Sequence, residues 1–345
     1  MFLRVAVAET MNRNAAPLAT IVMYHVVRPA SAAGPFQRVK GLDVSAFREQ
    51  LLYIRAHYTI VRLFDLVTAA EGIQPLPPRP IVLSFDDGYA GHYRWVFPLL
   101  VDAGAPAVFF PVASALLDRR VIDVNKVQFI LAASDDVEQL VTAIDAAIER
   151  EQPRLPTPAE YRSRWWTSSR WDPPEVVYVK RLLQHALPES VRRPLVDHLF
   201  QTLVTADEAG FADELYMDAG QLRELHEAGM TIGAHGDRHV RLPTLPRHEQ
   251  ALEIDGALRV LDVLGLPQRK FAYCYANGDH DDDSVDLLRA RQCSIALTTR
   301  PDLARIVPEA MLTLPRLDTN DLPVRADDDP NEWTRRAAAA TALTP

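Results

Sequence analysis

Ile81-Val82-Leu83-Ser84-Phe85-Asp86-Asp87-Gly88-Tyr89 is an apolar, β-type run that ends abruptly in two carboxylates and a glycine. Far downstream, Thr231-Ile232-Gly233-Ala234-His235-Gly236-Asp237-Arg238-His239 repeats the pattern, with histidines at the polar end. Runs of this kind place reacting side chains at the C-terminal ends of barrel strands. Two histidines and one aspartate suit a catalytic metal that keeps an open coordination position. The neighbouring aspartate suits a general base.

Outward from these runs, strand-like and helix-like segments alternate, which favours an α/β fold with parallel strands. Strands are predicted over 19–24, 59–63, 81–85, 106–111, 230–234, 270–275, 294–298 and 311–317. Helices are predicted over 45–57, 93–103, 218–228, 247–264 and 282–292, with Gly104 and Gly229 as stops. Pro75-Leu76-Pro77-Pro78-Arg79-Pro80 cannot be helical and serves as a rigid connector into the strand at Ile81. The rhythm breaks between Val112 and Asp213, where the chain reads as mainly helical. The predicted fold is therefore a distorted or incomplete (β/α) barrel over residues 21–325, with a helical insertion at about 115–214 acting as a lid over the barrel mouth. Residues 1–20 read as an N-terminal extension, and 326–345, acidic and then alanine-rich, as a loose tail.

Composition narrows the function classes. A 48% hydrophobic and 24% charged chain is ordinary for a globular protein, and its net charge of −9 argues against a nucleic-acid partner. Cys274 and Cys293 lie in apolar, strand-like contexts without a CxxC, so reduced core thiols are expected rather than a disulfide. The apolar run Val5-Ala6-Val7-Ala8 is broken by Glu9, Asn12, Arg13 and Asn14, too soon for a secretory signal, and Met11 is an alternative start. No segment approaches the roughly 18 apolar residues of a membrane span. The expected compartment is the cytoplasm.

An isolated Asp-Asp-Gly is usually a solvated turn, and an isolated His-x-x-x-His is a weak signal. Here each follows an apolar strand, and the two complete one another. Taken together, the motifs resemble those of the polysaccharide deacetylase family, the metal-dependent carbohydrate esterases with a NodB-homology domain. Ser84 to Gly88 match the Thr/Ser-Phe-Asp-Asp-Gly motif, and His235 and His239 match His-Ser/Thr-x-x-His, with Gly236 in the Ser/Thr place. Tyr24-His25 resembles the Tyr-His pair on the first strand of many members. The resemblance implies Asp86 as the catalytic base and Asp87, His235 and His239 as ligands of a divalent metal, usually zinc.

The departures are informative. Phe271-Ala272-Tyr273-Cys274-Tyr275 has Cys274 where the third motif has proline, and Ala272 where many members carry an arginine that orients the base. Arg316, after Leu314-Pro315, is the expected replacement, since a guanidinium can grip a carboxylate with two parallel bonds. Arg269 is the weaker candidate because it precedes its strand. The Tyr275 amide is expected to help bind the oxyanion. No histidine near Leu314 to Thr319 can serve as the family's general acid; His25 and His280 are the nearest substitutes. Asp279 and Asp281 to Asp283 read as a helix start. Trp165, Trp166 and Trp171 are core of the insertion, or a surface for stacking on a sugar.

The implied function is metal-dependent N-deacetylation of an amino sugar or glycan precursor. The alternatives are hydrolysis of an O-ester or a non-sugar amide, or a catalytically reduced glycan-binding protein.

Overall fold

The computed structural model describes residues 16–30, 38–169 and 172–342. The Val5–Ala8 run, Met11 and Trp171 lie outside these residues. The described residues form two compact units: one within 16–29, 41–118 and 213–342, the other within 30, 38–40, 119–169 and 172–212.

The first unit is built around parallel strands. β1 (Leu18–Tyr24) pairs in parallel with β2 (Pro80–Asp87), Thr20 opposite Ile81 through Tyr24 opposite Phe85. Every residue of β2 is buried, as expected of a strand covered on both faces, and this is why its apolar run is continuous rather than alternating. β3 (Val108–Pro111) lies along β2, with Asp86 opposite Phe110 and Asp87 opposite Pro111, and β4 (Thr231–Ile232) lies along β3. β5 (Ala272–Cys274) and β6 (Ile295–Leu297) form a separate parallel pair. β7 (Leu317–Asp318) returns to β1, Leu317 opposite Val22. Two isolated parallel bridges, Ala234–Tyr273 and Leu297–Leu314, join β4 to β5 and β6 to the approach of β7. The circuit thus closes through single bridges instead of full ladders, which makes it a distorted (β/α) barrel.

Helices cover the strands by amphipathic packing. In α1 (Val44–His57), Phe47, Leu51 and Ile54 follow the i, i+4, i+7 stripe and are buried, and Asp43 caps the helix by accepting the Ser45 N–H at 2.7 Å. α2 (Phe97–Ala103) follows a π-turn at His92–Val96 and ends on Gly104 at φ +61°. α3 (Ala219–Glu227), α4 (Arg247–Val263) and α5 (Asp282–Ala290) each precede or follow a short strand.

Three local expectations need correction. The strand predicted over 59–63 is only Thr59–Ile60, because Leu63 already opens a helix. The strand over 311–317 shrinks to Leu317–Asp318: a 3₁₀ turn occupies Pro308–Ala310, the Thr313 N–H closes onto the Ala310 carbonyl, and Pro315 has no N–H for a ladder. The tail is not loose over its described residues. Glu332–Ala342 forms α6, favoured by its run of alanines, and is pinned where the buried Thr334 hydroxyl meets Tyr53 at 2.9 Å and Tyr58 at 3.0 Å.

The second unit is helical, with Asp123–Ala133, Val137–Arg150, Pro158–Trp165, Pro174–Arg181 and Glu189–Leu203 as its main helices. Its core includes Val127, Ile130, Ile144, Val179, Val196 and Phe200. Lys126 is buried within it, and its ammonium is shared by Asp197 (2.5 Å) and Glu208 (3.0 Å), the partnering a buried cation requires. Trp165 packs on His185 and Trp166 beside Tyr178, both inside this unit. No helix among the described residues is long and apolar enough to cross a membrane.

Candidate metal centre and the carboxylate beside it

Adjacent strand residues normally face opposite sides, yet Asp86 and Asp87 both enter one site. The reason is local. Asp87 adopts a left-handed backbone at φ +68°, and Gly88 follows at φ +75°. A side chain at Gly88 would meet Pro111 Cβ at 2.9 Å, so glycine is required there on two counts. The histidine loop uses the same device, with Gly236 at φ +76° and His239 at φ +60°. Any L side chain at Gly236 would be strained in this conformation. Non-glycine residues in this region are costly and cluster where a site over-determines them. Glu253 of α4 supplies that restraint: its buried carboxylate accepts the Arg238 N–H at 2.6 Å and Arg238 Nε–H at 3.1 Å.

His235 Nε2 and His239 Nε2 converge on one atom, Asp87 Oδ1, at 3.4 and 3.5 Å. The three donor atoms lie within 4.8 Å of one another. Asp87 Oδ1 is buried and accepts no hydrogen bond, whereas Oδ2 accepts from Tyr89 Oη at 2.8 Å. The His235 Nδ1–H donates to the Cys274 carbonyl at 2.8 Å, which turns Nε2 toward the Asp87 oxygen. Such a set calls for a positive charge at its centre. An orphaned carboxylate oxygen, two imidazoles and a ring pinned from behind fit a divalent metal with borderline ligand preferences.

The electrostatics agree. Burial pushes the Asp87 carboxyl up, but His235 and His239 outweigh it and hold the group well below the carboxylate range. Burial, reinforced by neighbouring His235, lowers His239 to about 4, so its ring is neutral near pH 7. His235 moves the other way: burial opposes its charge, while Cys274 and Asp87 raise it well above its ordinary value.

Asp86 has a different environment. Arg316, fully buried, grips it with Nη1–Oδ1 at 2.8 Å and Nη2–Oδ2 at 2.7 Å. Burial alone would raise the carboxyl, but the Arg316 charge and hydrogen bonds overcome it and bring the group to about 2. Arg316 Nε–H donates to the Thr298 carbonyl at 2.8 Å, and Nη1 to Ser84 Oγ at 3.1 Å. Ser84 in turn donates to the Val22 carbonyl at 2.9 Å, giving the motif's hydroxyl residue a task as a bracket for the guanidinium. His25, at the end of β1 and 44% exposed, places Nε2 at 3.8 Å from Asp86 Oδ2. Its carbonyl accepts from His92 Nε2 at 2.6 Å.

Other candidates lie elsewhere. Arg269 lines a cavity of about 750 Å³ with Arg62, Thr231 and Phe271, at the starts of the strands rather than their ends. His280 stacks against Tyr275. Asp281 caps α5 through the Ser284 N–H, and Asp279 pairs with Arg241, as a solvated helix start should. The role expected of Tyr275 is corrected: its amide donates to the Leu297 carbonyl at 3.0 Å, so pairing between β5 and β6 has already consumed it. Residues not foreseen are Ser84 as bracket, Thr298, Tyr89 and Glu253. Glu253 carried a signal, since it is a carboxylate next to Ile254 on the buried stripe of α4.

A distorted (β/α) barrel with Asp, Asp, His and His gathered at strand C-termini is the class of architecture to which the deacetylase resemblance points. Residues 199–295 match the family model for polysaccharide deacetylase, a stretch that holds both histidines but not the Asp-Asp pair. The chain is 42% identical over 79 residues to the poly-β-1,6-N-acetyl-D-glucosamine N-deacetylase of Escherichia coli (strain K12); this is 23% of the chain and only 12% of that relative's length. In fold it is similar to the Streptococcus pyogenes deacetylase PplD in complex with acetate, with TM-score 0.53, 13% identity, and coverage of 96% of this chain and 100% of that one. IcaB from Ammonifex degensii is likewise similar, with TM-score 0.53, 16% identity, and coverage of 95% and 98%. The resemblance to polysaccharide deacetylases therefore holds in sequence over part of the chain and in fold over nearly all of it.

Proposed function

We propose that this protein is a metal-dependent N-deacetylase that hydrolyses the acetamido group of an amino sugar in a glycan or glycan precursor, with zinc as the first candidate metal. The observation that carries this reading is a buried, ionised Asp86 locked by Arg316 directly beside the convergent Asp87, His235 and His239. A divalent cation held by those three residues supplies Lewis acidity toward the acyl carbonyl and lowers the pKa of water. Asp86, accepting no proton until well below neutrality, takes one from the attacking water. Arg316 keeps its carboxylate aimed. The C–N bond breaks, acetate leaves, and the departing nitrogen takes a proton. We assign that proton to His25, which is partly exposed and lies 3.8 Å from Asp86 Oδ2. The Escherichia coli relative is a poly-β-1,6-N-acetyl-D-glucosamine N-deacetylase, which supports N-acetylglucosamine as the sugar.

The test is acetate release after metal reconstitution, measured on β-1,6- and β-1,4-linked N-acetylglucosamine oligomers, an O-acetylated sugar and a non-sugar acetamide. The reading expects metal-dependent acetate with one new primary amine per acetate, from the N-acetyl sugars. Release from the ester or the simple amide alone reassigns the reaction. Oligomer binding without release from any substrate makes the chain a glycan-binding protein.

A further inference from the structure

A guanidinium carries five N–H donors, and Arg316 is fully buried, so each needs an acceptor from the protein. Four find oxygen: the Thr298 carbonyl, Ser84 Oγ, and the two oxygens of Asp86. The remaining Nη2–H points to Cys274 Sγ at 3.1 Å. The same sulfur lies 3.7 Å from Asp86 Oδ2 and 3.8 Å from the Tyr275 carbonyl, the two acceptors within reach of its S–H. The backbone of Cys274 is also engaged. Its N–H donates to the Ala234 carbonyl at 2.9 Å, and its carbonyl orients His235. One residue therefore touches the Asp86 carboxylate, the guanidinium that holds it, and a ring of the metal-binding set. Most buried cysteines behave as small apolar side chains. Cys274 instead sits at contact distance from two opposite charges and takes the one N–H of Arg316 left without an oxygen.

We propose that Cys274 is a positioning residue: its sulfur completes the donor set of Arg316 and so fixes the Asp86 carboxylate. Proline stands here in the motif the chain resembles. In this chain proline would remove both the sulfur acceptor and the N–H bonded to Ala234, so restoring the motif residue damages the site. The kinetic arm of the test rests on the deacetylase reading; the structural arm does not.

The experiment compares Cys274→Ser, Cys274→Ala and Cys274→Pro with wild type, measuring zinc stoichiometry, kcat and KM for an N-acetylglucosamine oligomer, and the structure of the alanine variant. The expected result is that alanine retains zinc and KM but lowers kcat by about 10–100-fold, the range for removing an outer partner of a site. Serine, which keeps a donor and acceptor, restores most of that loss, and proline loses at least as much as alanine. In the alanine structure, the Arg316 fork turns away from Asp86 or a water replaces the sulfur. Wild-type kcat in the alanine or proline variant overturns the proposal, as does a loss that serine fails to restore. If wild type releases no acetate, the deacetylase reading fails by itself. The positioning claim is then judged on the alanine structure, where an unmoved fork with no water at the sulfur position overturns it.

Discussion

Arg316 and Asp86 meet side by side, Nη1 on Oδ1 at 2.8 Å and Nη2 on Oδ2 at 2.7 Å, in a space closed to solvent. The pair joins residues 230 positions apart, one at the end of β2 and one just before β7. It gives the proposed base two properties at once, a fixed direction and a charge that survives burial.

Removing the guanidinium should expose both. In Arg316→Met, the burial that raises the Asp86 carboxyl is unopposed by its main counter-charge, so its value rises from about 2. The base form is then lost at a higher pH, and the acidic limb of the kcat profile moves upward. Stability follows the same sign. The depressed folded-state value makes Asp86 stabilising above its unfolded value of about 3.8, and this is lost as pH falls through about 2. Breaking a buried pair by deleting one partner costs roughly 3–5 kcal/mol, so chemical denaturation at neutral pH should show a loss of that order. An unshifted limb would separate Arg316 from the base.

His25→Asn should lower kcat while leaving zinc affinity in place, because His25 contacts Asp86 and is not among the residues converging on Asp87 Oδ1. Loss of a general acid typically costs about 10²–10⁴-fold. A wild-type rate in this variant, or a loss traced to missing metal, would take the proton-delivery role away from His25.

Glu253→Ala should weaken zinc binding without touching a ligand. The buried carboxylate restrains the loop that carries Gly236 and His239 in left-handed conformations. Outer partners of metal ligands are typically worth about 10–100-fold in affinity, and calorimetric titration with zinc reads this directly. Wild-type affinity in the variant would show that the loop holds its shape unaided.

Zinc should raise the thermal stability of the wild-type protein and leave the Asp87→Ala, His235→Ala, His239→Ala triple variant unchanged. A ligand at 100 times its Kd stabilises the native state by about 2.7 kcal/mol. Equal stabilisation of both proteins would place the metal elsewhere.

How far the site can be read from the chain depends on which groups carry the information. Asp86, Asp87, His235 and His239 were legible because each follows an apolar run and its side-chain type is itself the signal. Arg316 was legible from a charge ending a β-type segment, although that segment proved to be mostly turn because of Pro308 and Pro315. Backbone commitments were not legible. Whether the Tyr275 amide is free depends on β5 pairing with β6, a contact that no residue type announces. The sulfur of Cys274 looked like core packing because its partner, Arg316, is 42 residues away in the chain. The helix at 332–342 reads as a loose tail from sequence because its anchor, Thr334 against Tyr53 and Tyr58, is long-range, although its alanines favour a helix.

The central claim is that Asp86 moves the proton while its neighbour Asp87 holds the metal. The most direct measurement is zinc content and acetate release on the same preparations of wild type, Asp86→Asn and Asp87→Asn. The account predicts about one zinc per chain in wild type and Asp86→Asn, with acetate release in the latter reduced by about 10²–10⁴-fold, and loss of both zinc and activity in Asp87→Asn. Asp86→Asn that turns over near the wild-type rate, or Asp87→Asn that keeps stoichiometric zinc at wild-type affinity, would contradict it.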